Sequence, residues 1–209
     1  MTNRVGLPRI TLVIASRNPG KFNEIVALLQ GLNVLLVPLD RVGPIAVPPE
    51  GGESFQENAR RKAEAVARAS GHFALGDDSG LEVDALGGQP GVLSARFGGP
   101  HLTDAERNAL LLTRLRGTAS AKRTARFRCV IALADPGGPV YLAEGACEGH
   151  IALAPRGTHG FGYDPIFEIP SLGQTLAEVG PEIKNRLSHR AQALARAREI
   201  LEEILVGGG

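Results

Sequence analysis

A short apolar run that ends in a turn containing proline and glycine constrains the fold of this chain more than any other feature. Residues 10–15 are rich in β-branched side chains and are typical of a buried strand. Pro19 and Gly20 force a turn after it, and residues 21–30 then place their apolar side chains on one helical face. Residues 34–37 predict the next strand. Strand, helix and strand in this order indicate a βαβ unit and an α/β protein.

Helix starts are marked by capping residues at two places. Ser54 with Glu57, and Thr103 with Glu106, have the spacing at which a hydroxyl and a carboxylate satisfy the first backbone N–H groups of a helix. The first of these helices is expected to end near Gly71. A last helix is predicted toward the end of the chain, with an apolar stripe formed by Leu187, Ala191, Leu194, Ala197, Leu201 and Ile204.

The strands after the opening unit lie between glycine-bearing segments. Residues 73–75 predict a short strand that ends in a turn at residues 76–80, and residues 81–84 alternate like a half-exposed strand. Residues 127–134 and 140–146 predict a hairpin. The βαβ opening and the hairpin together indicate a mixed sheet. No linker divides residues 1–209, so a single domain is expected, with a disordered tail only at residues 207–209.

Composition and charge limit the classes of function. The formal net charge is +1, so no overall field favours nucleic acid or an acidic membrane, and a bound anion must be held by local groups. The longest apolar runs are too short to span a bilayer. Residues 1–4 lack the apolar run of a signal peptide, so a cytoplasmic location is expected. Cys129 and Cys147 lack the spacing of a zinc site and are expected to be reduced core thiols.

The segment Ser16-Arg17-Asn18-Pro19-Gly20-Lys21 joins the first predicted strand to the first helix. A helix N-terminus offers free N–H groups and a partial positive charge that suit a phosphate group, and Lys21 adds a full charge. Ser16 and Asn18 add short polar side chains. The segment has neither the P-loop pattern nor the dinucleotide-binding glycine pattern. An ordinary capped turn is the alternative interpretation.

Two adjacent carboxylates, Asp77 and Asp78, follow the predicted buried strand at residues 73–75. Such a pair is unfavourable unless a positive charge lies close to it. Magnesium prefers oxygen ligands and usually takes one or two carboxylates, with water and substrate phosphates completing its coordination. Glu50, in the preceding loop, is a further ligand if the fold brings it close. The alternative interpretation is a solvated acidic turn.

Two later segments have the composition expected for contacts with a base. Residues 160–164 place Phe161 and Tyr163 in a loop of a chain that is only 4% aromatic, which suggests a stacking platform for a base. Anchoring of this loop to the core by its rings is the alternative. Residues 184–190 open the last predicted helix, where at least two polar side chains are able to face a cleft. A lone His189 at such a place is more typical of a cap or a surface residue than of a catalyst.

Four motifs occur along the chain in the order ESFQENARRKA, DDSGLEVDALGGQPGVLSAR, GFGYDPIF and KNRLSHRA. With the segment at residues 16–21, they closely resemble the inosine and xanthosine triphosphate pyrophosphatases, a family of house-cleaning purine nucleoside triphosphate pyrophosphatases. The resemblance extends over residues 10–205. One difference is visible at Ser16-Arg17-Asn18, where Thr-Gly-Asn is commoner in the family.

The resemblance implies Mg²⁺-dependent hydrolysis of aberrant purine nucleoside triphosphates (ITP, dITP and XTP) to the monophosphate and pyrophosphate, which removes them from the nucleotide pool. It also implies a homodimer and an elongated mixed β-sheet with helices, in which two lobes surround a central active-site cleft. Asp78 is the implied metal ligand and general base, and Glu50 is the implied second metal ligand. The implied phosphate-binding residues are Ser16, Arg17, Asn18, Pro19, Gly20, Lys21 and Lys62. The implied nucleotide-binding residues are Ser79, Phe161, Gly162, Tyr163, Asp164, Lys184, His189 and Arg190.

The choice of base also follows from hydrogen-bonding patterns. Hypoxanthine and xanthine present an acceptor at O6 and a donor at N1, whereas adenine presents the reverse. Arg190 or a loop N–H opposite O6, with a carboxylate such as Asp164 near N1, would oppose like groups when adenine binds. Guanine shares both groups, so this argument does not reject it. Two other functions remain open: hydrolysis of modified pyrimidine triphosphates, and nucleotide sensing or nucleic-acid binding without catalysis.

Overall fold

The computed structural model describes residues 10–51 and 53–207. The expectations made for residues 1–4 and for residues 208–209 lie outside the described residues. Gly207, the first residue of the expected tail, is instead the last residue of the last helix. In chain order the elements are β1 (Ile10–Ile14), α1 (Pro19–Leu28), β2 (Val34–Pro38), α2 (Phe55–Ser70), β3 (Phe73–Val83), α3 (Asp104–Arg114), β4 (Thr124–Ala134), β5 (Val140–Ile151), β6 (Phe167–Ile169), β7 (Gln174–Thr175), α4 (Pro181–Leu187) and α5 (His189–Gly207).

The strands form a seven-stranded mixed sheet in the order β2-β1-β3-β4-β5-β6-β7. β1 runs parallel to both β2 and β3, with Ile10 opposite Val34 and Leu12 opposite Phe73. β6 pairs antiparallel with β5 and with β7. The parallel pair β1 and β2, joined through α1, is the βαβ unit that the opening of the sequence predicts. The α/β class with a mixed sheet is confirmed.

The chain divides into two compact units. The first unit consists of Met1–Asp78, Val130–Glu144 and Ala193–Gly209, and the second consists of Ser79–Cys129 and Gly145–Gln192. β3 therefore contributes residues 73–78 to the first unit and residues 79–83 to the second. Asp78 and Ser79 are consecutive in the chain but belong to different units.

The core of the first unit is built from apolar side chains of its strands and helices. α2 begins after Ser54, whose hydroxyl accepts a hydrogen bond from the Glu57 N–H, and ends at Gly71 in the left-handed conformation, as the capping pattern predicts. The reciprocal bond of a capping box goes instead from the Glu53 N–H to the Glu57 carboxylate. The buried apolar residues of β1, α1, α2 and α5 include Leu12, Val13, Ile14, Ile25, Ala59, Ala63, Val66, Leu194, Ala197 and Leu201.

The prediction of a turn at residues 76–80 is wrong, because β3 is one continuous strand of 11 residues. Gly76 does not break the strand but allows the backbones of β3 and α2 to pack closely. A Cβ atom at this position would lie 2.3 Å from the Ala59 carbonyl oxygen in α2. β3 also pairs with β1 at this end. Sheet pairing and helix contact thus outweigh the low strand propensity of glycine.

The second unit has its own apolar cluster, which includes Leu81, Val83, Phe97, Leu111, Leu115, Phe127, Ile151, Tyr163, Ile166, Phe167, Leu176 and Val179. α3 starts with a reciprocal capping box between Thr103 and Glu106, which confirms the sequence prediction. Within the long segment before α3, residues Gly91–Arg96 form a 3₁₀ helix. Among the described helices, none combines the length and apolar content that crossing a membrane requires.

Candidate active site

Both carboxylates of the acidic pair are buried in β3 and both are paired with lysine. Asp77 and Asp78 are 1% and 3% exposed. Consecutive side chains of a strand point to opposite faces, so the two carboxylates meet different partners. Asp77 Oδ1 lies 2.5 Å from Lys21 Nζ, and Asp78 Oδ1 lies 3.0 Å from Lys62 Nζ. The acidic pair is therefore neither solvated nor in a turn.

Lys62 is the centre of this group because its ammonium contacts three oxygens. Lys62 Nζ donates to Glu50 Oε1 at 2.8 Å, to the Asp77 carbonyl oxygen at 2.6 Å and to Asp78 Oδ1 at 3.0 Å. One helical turn earlier in α2, Asn58 Nδ2 donates to Asp78 Oδ2 at 3.1 Å. Both oxygens of Asp78 are thus held by side chains from a single face of α2.

We refer to Lys21, Glu50, Lys62, Asp77 and Asp78 as the lysine–carboxylate cluster. All five residues belong to the first unit. The structure therefore brings together four of the residues that the sequence assigned to phosphate and metal: Lys21, Glu50, Lys62 and Asp78. Asp77 was considered only as a member of the acidic pair and received no role from the resemblance, and Asn58 was not considered. Asn58 has a signal in the sequence, since it lies four residues before Lys62 and so shares its helical face.

Burial and neighbouring charges shift the pKa values in this cluster. Burial raises the pKa of Asp78 to about 6, although the ammonium groups of Lys62 and Lys21 act in the opposite direction. Burial also acts to raise the pKa of Glu50, but Lys62 and Lys21 outweigh it and the pKa lies below that of an ordinary glutamate. For Lys62, burial favours the neutral amine, but Asp78 and Glu50 outweigh it and raise the pKa. Lys62 therefore stays charged at neutral pH.

The donor set of the cluster fits a magnesium ion. No group of three or more His, Cys, Asp or Glu side chains is arranged around a common metal position in residues 10–51 and 53–207. Magnesium needs only one or two carboxylates when phosphate and water oxygens supply the other ligands. Glu50 and Asp78 both contact the same Lys62 ammonium, so their carboxylates already converge on one positive charge.

The segment at residues 16–21 forms the N-terminal cap of α1. Asn18 Oδ1 accepts from the Lys21 N–H at 3.1 Å, and Ser16 Oγ accepts from the Asn18 N–H at 3.2 Å. Arg17 Nη2 reaches the Ile45 carbonyl oxygen at 3.5 Å. A cavity of about 650 Å³ beside this segment is lined by Ser16, Arg17, Asn18, Pro19, Phe22, Pro38, Leu39, Asp40, Gly43, Pro44 and Ile45. The capped turn, which the sequence left open as the alternative, is therefore present, and a cavity lies beside it.

In the second unit, residues 160–164 form a loop, here called the aromatic loop, whose last residue, Asp164, bonds back to its start. Asp164 Oδ2 accepts from the Phe161 N–H at 2.9 Å and from Lys184 Nζ at 2.6 Å. Gly160, with φ of 77°, has no room for a side chain, because a Cβ atom would lie 2.0 Å from the Asp164 carboxylate. Asp164 is 2% exposed, so its main effect is to fix Phe161 and Lys184.

The two rings of the aromatic loop have different environments. Tyr163 is 5% exposed, lies in the apolar cluster and donates from its hydroxyl to the Ser94 carbonyl oxygen at 2.9 Å. Its ring is therefore an anchor in the core, which is the alternative that the sequence left open. Phe161 is only half-buried, and Lys184 Nζ and Arg190 Cζ lie 4.7 Å and 5.8 Å from its ring centroid.

Residues 184–190 do not open a single helix, as the sequence had suggested. α4 ends at Leu187, Ser188 is extended with ψ of 157°, and α5 begins at His189. The break turns Leu187 out of the predicted apolar stripe, and it is 39% exposed, whereas Ala191 and the following stripe residues of α5 at positions 194, 197 and 201 are buried as predicted. The Ser188 hydroxyl accepts from the Ala191 N–H and so caps α5.

The first two residues of α5 are buried, and both contact side chains of the second unit. Arg190, 1% exposed, donates to Ser79 Oγ at 2.8 Å. His189, 4% exposed, stacks on Phe127 with 4.6 Å between ring centroids and an angle of 11°. His189 is thus not a surface residue. Phe127 was not predicted to be near this group, because the contact joins residues far apart in the chain and has no local signal.

The mixed α/β fold and the buried lysine–carboxylate cluster define the class: an α/β protein with paired lysine and acidic side chains buried in its first unit. A model of the Ham1 family matches residues 12–200, and the chain belongs to this family. It is 48% identical over 195 residues to a protein from Desulforamulus reducens named dITP/XTP pyrophosphatase, which covers 93% of this chain and 97% of that protein. A Bacillus subtilis protein of the same name is 44% identical over 190 residues, covering 91% and 96%.

Solved structures of Ham1 proteins have the same fold. The HAM1 protein of Coxiella burnetii superposes with a TM-score of 0.85 at 42% identity, over 93% of this chain and 99% of that one. A Mycobacterium abscessus protein described as a nucleoside-triphosphatase and dITP/XTP pyrophosphatase has a TM-score of 0.74 at 44% identity, over 90% and 98%. The fold and family are therefore shown by two independent kinds of comparison.

Proposed function

We propose that this protein hydrolyses noncanonical purine nucleoside triphosphates, namely dITP, ITP and XTP, to the nucleoside monophosphate and pyrophosphate, and so removes them from the nucleotide pool. The observation that carries the proposal is the lysine–carboxylate cluster, in which Lys62 holds Glu50 and Asp78 within 3.0 Å. The names of relatives that are 44–48% identical over nearly the whole chain support the substrate class.

The triphosphate is proposed to bind through positive charges and N–H donors of the first unit. Hydrolysis of a phosphoanhydride needs neutralisation of the phosphate charge, an in-line water and a group that takes the proton of that water. Lys21, Lys62 and the α1 N-terminus would bind the phosphate oxygens, with further contacts from Ser16, Arg17, Asn18, Pro19 and Gly20.

Asp78 is proposed to take the proton of the attacking water. Its carboxylate is fixed by Lys62 on Oδ1 and by Asn58 on Oδ2, so its orientation is set before substrate binds. Glu50 and Asp78 would hold Mg²⁺, which when bound offsets the negative charge of the phosphate oxygens. Magnesium is the proposed cofactor because the cluster offers only oxygen ligands.

The nucleoside is proposed to bind through residues of the second unit. Phe161 offers a half-exposed ring beside two cations, Lys184 and Arg190, and Ser79 is held by Arg190. Gly162 is proposed to act through the shape it gives the loop, because its N–H and carbonyl oxygen are already bonded to Asp104 and Asn108. Tyr163 and Asp164 anchor the loop, and His189 precedes Arg190 at the start of α5. An Arg190 N–H or a loop N–H opposite O6 favours hypoxanthine and xanthine over adenine. Asp164 contributes indirectly, since Phe161 and Lys184 already occupy its Oδ2.

A homodimer and a cytoplasmic location complete the proposal. The homodimer follows from the family resemblance, and the net charge of +1 fits a nucleotide substrate better than nucleic acid.

Pyrophosphate release across a nucleotide panel tests this function. Wild-type protein is assayed with dITP, ITP, XTP, GTP, ATP and a modified pyrimidine triphosphate, with Mg²⁺ and with a chelator. We expect Mg²⁺-dependent release of pyrophosphate, with kcat/KM highest for dITP, ITP and XTP. Equal kcat/KM for ITP and ATP would contradict the base assignment. Binding of ITP without pyrophosphate release would indicate a sensor, and preference for the pyrimidine would indicate the other hydrolase class.

A further inference from the structure

Gly162 of the aromatic loop is held through both of its backbone groups by α3. Its N–H donates to Asp104 Oδ2 at 2.7 Å, and its carbonyl oxygen accepts from Asn108 Nδ2 at 3.0 Å. Asp104 and Asn108 are four residues apart and so lie on the same face of α3. Gly162 has φ of 62°, a left-handed conformation that glycine adopts without strain. All three residues belong to the second unit.

The start of α3, which carries Asp104 and Asn108, is held by further hydrogen bonds. The capping box between Thr103 and Glu106 fixes its start. Arg107, 6% exposed, donates to the Ala95 carbonyl oxygen at 2.7 Å and to Asp104 Oδ1 at 3.4 Å. Asp104 therefore has one oxygen toward Arg107 and the other toward Gly162.

Within the described part of the chain, only the Nδ2 group of the Asn108 side chain makes a hydrogen bond, so the residue is a poor choice for the stability of the core. It is 3% exposed, and its Oδ1 has no hydrogen-bond partner among the described residues. Burying an acceptor without a partner is unfavourable, so an apolar residue would suit the core better at this position. The bond to Gly162 is the compensating contact, and it lies next to the half-exposed ring of Phe161.

We propose that Asp104 and Asn108 are positioning residues that hold Gly162, and through it the Phe161 ring, in the orientation that receives the purine base. The inference rests on the proposed function. Phe161 then lies between two fixed points, since its own N–H is held by Asp164 on one side and its neighbour Gly162 is held by α3 on the other. A ring that is ordered before binding loses less conformational entropy when the base stacks on it.

A ligand without a base separates this role from general support of the fold. Inorganic tripolyphosphate carries the phosphates of the substrate but no ring, so its inhibition constant reports on the phosphate-binding groups alone. We expect Asp104→Ala and Asn108→Ala each to raise KM for dITP about tenfold, the effect of losing one ordering hydrogen bond. We expect kcat and the inhibition constant of tripolyphosphate to stay within about twofold of wild type.

Two further variants act as controls. Glu106→Ala removes the acceptor of the capping box in the first turn of α3 without touching the loop, so it is expected to lower the melting temperature while KM for dITP stays unchanged. Asp104→Asn keeps an oxygen that accepts from the Gly162 N–H and is expected to recover most of the lost affinity. The double variant is expected to raise KM by less than the product of the single effects, because both residues act through Gly162.

The outcomes separate this inference from the proposed function. Wild-type KM for dITP in both alanine variants of an active enzyme would overturn the positioning role alone. A rise in the tripolyphosphate constant equal to the rise in KM would also overturn it, since the effect would then not be specific to the base. Wild-type protein that releases no pyrophosphate from any purine nucleotide would contradict the proposed function and remove the basis of this inference with it.

Discussion

Lys62 Nζ lies 3.0 Å from Asp78 Oδ1, and the two side chains are only 7% and 4% exposed. A buried ion pair of this kind contributes little net stability, because desolvation opposes the attraction, but removal of one partner leaves a buried charge without compensation. The pair therefore couples the stability of the first unit to the same residues that the proposed reaction uses. Separate measurements of stability and turnover distinguish the two contributions.

Replacement of Asp78 by asparagine is expected to remove most of the activity. Asparagine keeps the shape of the side chain and one acceptor oxygen, which can meet Asn58 or Lys62 but not both, and it cannot take a proton from water. We expect kcat/KM for dITP to fall at least about a hundredfold, which corresponds to about 3 kcal/mol of transition-state stabilisation. A variant within tenfold of wild type, with unchanged metal dependence, would remove Asp78 from the role of base.

Replacement of Lys62 by methionine is expected to destabilise the protein even without substrate. The change leaves Glu50 and Asp78 close together without their shared cation, so the free energy of unfolding is expected to fall by about 3–5 kcal/mol. Urea denaturation measures this value. Lys122→Met, the same change at an exposed lysine, is the matched control and is expected to alter stability by less than about 0.5 kcal/mol. Equal effects of the two variants would contradict the buried pairing.

Magnesium is expected to stabilise the wild-type protein through Glu50 and Asp78. A ligand that binds only the folded state at a hundred times its Kd adds about 2.7 kcal/mol, so the melting temperature should rise with added MgCl₂. Glu50→Gln is expected to lose most of this rise. Glu53→Gln, at an exposed carboxylate of the same loop, should keep it. An identical shift in both variants would place the ion elsewhere.

Addition of one methyl group at Gly76 is expected to force α2 away from β3. The new Cβ atom would lie 2.3 Å from the Ala59 carbonyl oxygen, and backbone atoms have little freedom to move. We expect Gly76→Ala to lower the free energy of unfolding by about 1–3 kcal/mol, and to lower activity because Lys62 is carried by the same helix. Gly137→Ala is the control, since no atom lies within 4 Å of a Cβ atom built there. Wild-type stability of Gly76→Ala would show that the helix is free to shift.

The thiols of the native protein are expected to be unreactive at pH 8. Burial raises the pKa of Cys147 to about 11, and Cys129 is buried as well. Because the folded state keeps the Cys147 proton to a higher pH than the unfolded state does, this residue lowers stability as the pH rises above the ordinary thiol value. Titration with a thiol reagent at pH 8 should detect no fast-reacting group before denaturation and both cysteines after it. A fast-reacting thiol in the native state would contradict the burial.

Local sequence signals predicted the parts of the structure that depend on neighbours along the chain. The β1–α1–β2 unit, the inward face of α2 and the capping box of Thr103 and Glu106 each follow from spacing within a few residues. The helical spacing that places Asn58 and Lys62 on one face is also local, although only Lys62 was assigned to the site. The family motifs added the roles proposed for Asp78 and Glu50, which spacing alone leaves open.

Contacts between distant segments were decided by the tertiary structure. Glycine at residues 76 and 80 predicted a turn, but the pairing of β3 with β1 and the close approach of α2 kept the strand continuous. The stacking of His189 on Phe127, and the hold of α3 on Gly162, likewise join residues that no period or motif links. Propensity acts over a few residues with small energies, whereas burial and polar pairing act between segments and outweigh it. The sequence by itself therefore determined the local elements and supplied candidate groups, and the fold decided which of those groups meet.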